Sequence, residues 1–146
     1  MSVAYPIAYR DEIVETQGRL FGRLEREHPG CDGVDFIESY LRSDLRSAVD
    51  CAEPIPANLS AGELKERFVR ESAYEFRPGA SVEAVSADWL GQFYAYCQWA
   101  QNLSSREVVT RYPVVTMLAG YPGLHDLSLP LAVERMNLVF NQRKTK

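Results

Sequence analysis

Long apolar runs are missing from this chain, and so is a basic stretch followed by an apolar core at its start. No segment approaches the roughly 20 consecutive apolar residues of a bilayer-spanning helix, and MSVAYPIAYRDE does not follow the secretory pattern. The expectation is a cytoplasmic protein without a membrane partner. Cysteine is scarce: Cys31, Cys51 and Cys97 are an odd number, spaced by 20 and 46 residues. That spacing suits free, mostly buried thiols better than a disulfide framework. Histidine is scarcer still, with two copies, and His28 and Cys31 have no second ligand pair nearby. Neither a metal nor a cofactor is expected. Gly30 and Gly33 are not followed by the lysine and hydroxyl residue of a phosphate-binding loop. A basic stripe is absent as well: 16 basic against 20 acidic side chains leave a net charge of −4, which argues against nucleic acid as a partner.

What is present is ordinary globular material. A 46% hydrophobic and 25% charged composition excludes disorder, and 146 residues suffice for one core. We therefore expect a single helical domain over 1–146, with residues 1–8 an N-terminal arm and 142–146 a frayed basic tail. Charge is uneven. Residues 1–73 carry 9 basic and 14 acidic groups, so the first half reads as the solvated one.

Periodicity points to helices throughout. Ile13, Val14, Leu20, Phe21 and Leu24 recur at helical spacing, predicting an amphipathic helix over 9–27 with Asp11 and Glu12 in its first turn. His28-Pro29-Gly30 stops it, and His28 reads as a cation at the helix C-terminus. After Asp32 an unbroken stripe from Phe36 to Ala52 predicts one continuous second helix. Glu53-Pro54-Ile55-Pro56 predicts an extended connection. Ser60 with Glu63, and Ser104 with Glu107, each form a capping box flanked by staple positions Leu59/Leu64 and Leu103/Val108. The third helix is expected to end before Pro78-Gly79.

Between those two starts, Ser86 is the expected N-cap of a helix whose large side chains occupy nearly every face from Trp89 to Ala100. Such a helix must be wrapped by others. Arg111-Tyr112-Pro113 and Gly120-Tyr121-Pro122 bracket a short apolar helical piece, and a last helix from about Pro130 ends near Asn141. No hairpin signature occurs. The expected fold is all-α, a compact bundle of five to seven helices around the central aromatic helix.

No residue is assigned a catalytic or metal-binding role. His125-Asp126 is the most suggestive pair, since a carboxylate can fix an imidazole tautomer, but no serine or cysteine nucleophile is placed beside it. Glu25, Glu27, Glu63, Glu66 and Glu71 read as solvated helix faces with i,i+3 or i,i+4 pairing. The functional lead is the aromatic excess from Trp89 to Tyr121. Exposed aromatic patches mark interfaces, so Tyr96, Trp99, Tyr112, Tyr121 and His125 are the interaction candidates.

The run Trp89-Leu90-Gly91, Tyr94, Tyr96, Trp99, then Ser104-Ser105-Arg106-Glu107, then Tyr121 and His125, resembles small uncharacterised bacterial helical proteins. Those share W-(I/L)-G-x-x-Y-x-Y-x-x-W, S-S-(K/R)-E and Y-x-x-x-H, and are often encoded near toxin and antitoxin cassettes. The resemblance covers Trp89 to Val133 and carries no catalytic residue. It implies an antitoxin-like or accessory binding component, whose partner is another protein or a second copy. The alternatives are a small enzyme using His125 and Asp126, and a self-associating structural protein.

Overall fold

The structure, a computed structural model, describes residues 4–144, with the side chain of Lys144 excepted. Regular structure among the described residues is helical, apart from one isolated bridge between Cys31 and Pro78. In chain order the helices are α1 (Ile7–Gly22), α2 (Leu24–Glu27), α3 (Gly33–Leu41), α4 (Asp44–Asp50), α5 (Pro54–Ala57), α6 (Ala61–Ser72), α7 (Ala84–Gln101), α8 (Ser105–Arg111), α9 (Val114–Leu124) and α10 (Leu129–Lys144).

Both capping boxes form. Ser60 accepts from the Glu63 amide and Ser104 from the Glu107 amide, while each glutamate reaches back to the cap backbone. Several expectations need correction. The first helix divides at Arg23 and begins at Ile7, which moves Asp11 and Glu12 out of the first turn. The continuous helix over 36–52 is two, because Ser43 turns extended and its hydroxyl caps Arg46, 3.1 Å away. Tyr40, Leu41, Leu45 and Val49 still reach one core, which is why the apolar stripe hid the break. Residues 54–57 form a helical turn rather than an extended link, since Pro54 at the first position has no amide to satisfy and a fixed φ that suits a helix.

The third helix ends at Ser72, well before Pro78, with Ala73 left-handed at φ 49. Helix α7 starts at Ala84, ahead of Ser86, and its cap residue Glu83 makes no side-chain bond. Helix α9 continues through Gly120-Tyr121-Pro122 to Leu124. Pro122 sits in its last turn, where the loss of one backbone bond is tolerated.

Among the described residues, both expected ends are partly ordered. Tyr5 is buried, with its hydroxyl donating to the Ala95 carbonyl at 2.5 Å, and α1 begins at Ile7, so residues 5–8 are not a free arm; residues 1–3 lie outside the described residues. Helix α10 runs to Lys144; residues 145–146 of the expected tail lie outside the described residues.

Helix α7 packs against α1, α2, α8, α9 and α10. It buries Leu90, Phe93, Tyr94, Ala95 and Cys97 completely or nearly so. Its crossing with α1 is unusually close because both helices present glycine there. A Cβ added to Gly91 would collide with the Gln17 carbonyl and come within 2.7 Å of the Gly18 Cα. Apolar stripes from distant parts of the chain thereby meet with backbone nearly touching backbone.

A polar group is sealed into the same core. Arg46 and Asp50 are buried, and Ser105 joins them: its amide and hydroxyl donate to the two Asp50 oxygens at 2.8 and 2.6 Å, and Arg46 Nε donates to the Ser105 hydroxyl at 2.8 Å. Burial pushes the Asp50 carboxyl above its ordinary value, opposed first by the Arg46 charge.

Candidate functional site

Helices α1 and α2 are joined by Arg23, whose backbone stays in the right-handed region, so they run on almost as one rod. Residues four and three apart along such a rod share a face. Arg19, Arg23 and Arg26 accordingly form a ladder along one wall of a cleft of about 820 Å³. The first turns of α7 supply the opposite wall, with Val85, Asp88 and Trp89, and the end of α9 closes it with Tyr121 and His125. Gly22 keeps the floor low, since a Cβ there would meet Asp88 at 3.2 Å.

The aromatic wall is interlocked. Trp89 meets Tyr121 edge-on at 5.5 Å, and Tyr121 stacks on His125 at 4.6 Å. His125 Nδ1 lies 2.9 Å from the Tyr121 carbonyl, which can only accept, so Nδ1 carries a proton and Nε2 turns to Asp126 at 3.3 Å. His125 and Asp126 do touch, but both side chains are exposed, at 39% and 82%.

Charges along the arginine wall are unequally paired. Arg19 pairs with Glu15, and Arg23 holds Glu27 at 2.7 Å. Arg26 is exposed and forms no ion pair among the described residues. Glu27 also accepts from Lys65 at 2.6 Å, and Lys65 reaches the His28 Nε2 at 2.9 Å, on the side of a second cleft lined by Phe76 and Val69. The hydrogen bond from Arg23, reinforced by Lys65, holds the Glu27 carboxyl down at about 2. Burial, with Lys65 second, pushes the His28 imidazole below its ordinary value. This corrects the expected cationic role of His28: its ring stacks on Phe76 at 3.8 Å, and Lys65 disfavours a second positive charge.

Of the expected interaction residues, Tyr121 and His125 come together in the cleft. Tyr96 and Trp99 are half-buried elsewhere on α7, beneath the Arg10 guanidinium at 5.6 and 4.8 Å. Tyr112 is corrected to a core residue: it is 1% exposed, its carbonyl accepts from Tyr94, and its hydroxyl accepts from Gln101. Cys31 and Cys97 are buried as expected, whereas Cys51 is exposed. The arginine ladder escaped sequence reading because i, i+4, i+7 charges look the same on any solvated helix. The Arg46–Asp50 pair escaped it because nothing local marks a buried charge.

Among the described residues no group of three or more His, Cys, Asp or Glu could hold a metal ion. No described helix is long and apolar enough to cross a membrane. Comparison of the chain with known protein families, curated proteins and solved structures finds no match.

Proposed function

We propose that this chain is a non-enzymatic protein-binding module of the cytoplasm that docks its partner in the cleft between α1/α2, α7 and α9. In this reading α1, α2, α8, α9 and α10 are grouped around the aromatic α7, which carries one wall of the cleft. The supporting observation is convergence: Tyr121 and His125 meet Trp89, the exposed Val85 and three arginines in one place. Aromatic and arginine side chains are those that dominate binding energy at interfaces. Asp126 is not among the residues lining the cleft, and no serine, threonine or cysteine stands beside His125 there, which supports docking over catalysis through the His125 and Asp126 pair. An antitoxin-like or accessory role, implied by the resemblance, is the setting in which such docking would operate.

The reading is tested by a photo-cross-linking residue placed at Val85 in living cells, with the same residue at the exposed Leu138 of α10 as the control. One defined protein adduct from position 85, absent from position 138 and lost on Arg26→Glu, is the expected result. Equal adducts from both positions, or none from either, would remove the cleft as a docking site.

A further inference from the structure

Resting on the docking reading above, we propose that the occupant of this cleft is a second copy of the chain, paired antiparallel along α1. Glu12, Glu15, Arg19, Arg23 and Arg26 are spaced by three, four, four and three residues, which keeps them within one stripe of a helical rod. The stripe is solvent-facing: four of the five are exposed and Arg23 is half-buried. Its charge is segregated, acidic in the first half of α1 and basic from Arg19 onward. A stripe of that kind is its own complement when turned end over end.

With the two-fold axis level with Gln17 and Gly18, Glu12 faces the partner's Arg23 and Glu15 faces the partner's Arg19. Symmetry makes each of these contacts twice. The same rotation settles one feature that the single chain leaves open. Arg26 has no ion pair of its own among the described residues, and it lies in reach of the acidic end of the partner's stripe. Ile7, 65% exposed at the start of α1, is carried to the level of the partner's Glu27 and His28, about half a turn past Arg26. Surface ion pairs are worth little singly, so the pairing draws on their repetition by symmetry. One helix pair covers less than a standard interface, so the dimer is weak, with a dissociation constant of roughly tens of micromolar at low salt.

Sedimentation velocity on the full chain, from 10 to about 500 µM, tests this with two charge-reversed variants. Glu12→Arg with Glu15→Arg makes the stripe wholly basic, and Arg19→Glu with Arg23→Glu makes it acidic at every position but Arg26. The wild type is expected to dimerise, each variant alone to stay monomeric, and an equimolar mixture to form heterodimers at least as tightly as the wild type. Thermal melts confirm folding; if releasing Glu27 from Arg23 unfolds the second variant, Arg19→Glu with Arg26→Glu replaces it. A monomeric wild type across the range, a dimer that survives both variants, or a mixture that stays monomeric overturns the pairing. An adduct at Val85 with a different protein would sink self-pairing and leave the docking reading standing, whereas no adduct at all would sink both.

Discussion

At Gly91 the backbones of two helices leave no room for a side chain, which makes the position a sharper probe of the fold than its size suggests. Gly91→Ala drives a methyl into the α1 backbone and should destabilise the protein by about 1–3 kcal/mol or more, read by urea denaturation. Gly123, also helical, has nothing within 4 Å of an added Cβ. Gly123→Ala should therefore be neutral or stabilise by up to about 1 kcal/mol through helix propensity alone. Phe93 is fully buried and Trp99 half-buried, so Phe93→Ala should lose about 3–5 kcal/mol and Trp99→Ala clearly less. Equal losses would place Trp99 in the core. Arg46→Met strands the Asp50 carboxylate without its counter-charge, and a loss of about 3–5 kcal/mol is expected in the same assay.

Helix starts carry the next set of expectations. Ser60→Ala and Ser104→Ala each remove one arm of a capping box and should lower stability by about 0.5–2 kcal/mol. The junction of α2 with α6 should respond to acid in two windows. His28 is held below its ordinary value in the folded protein, so the unfolded chain binds its proton first and stability falls as pH drops through the ordinary histidine range. Glu27 is held at about 2 against an ordinary 4.5, so its contribution is complete above about pH 4.5 and drains away as pH falls toward 2. Glu27→Gln should flatten the lower window and, because the Glu27 carboxylate holds the His28 imidazole up, deepen the upper one in a series of melting temperatures against pH. These elements also show what was readable in advance. Both capping boxes were legible because their partners lie three residues apart. The breaks at Arg23 and Ser43 were not, since apolar stripes continued past them, nor was the passage of α9 through Pro122. In the cleft, Tyr121 and His125 were legible as aromatic surplus, but the three arginines acquire meaning only when α7 and α9 stand opposite them.

Taken as one body, the molecule depends on α1 lying along α7, although the two are far apart in sequence. A fragment of residues 1–83 should show little helix by circular dichroism and regain it when residues 84–146 are added in trans. An unchanged spectrum on mixing would mean that the halves fold independently. The same crossing bears on how the chain is made. Ile13, Val14, Leu20, Phe21 and Leu24 are synthesised long before the helix that covers them, and the ribosome adds residues at roughly 5–20 per second. From the end of α1 at Gly22 to the end of α7 at Gln101 that is a wait of roughly 4–16 seconds with a bare apolar stripe, long enough for chaperone capture or for aggregation between nascent chains.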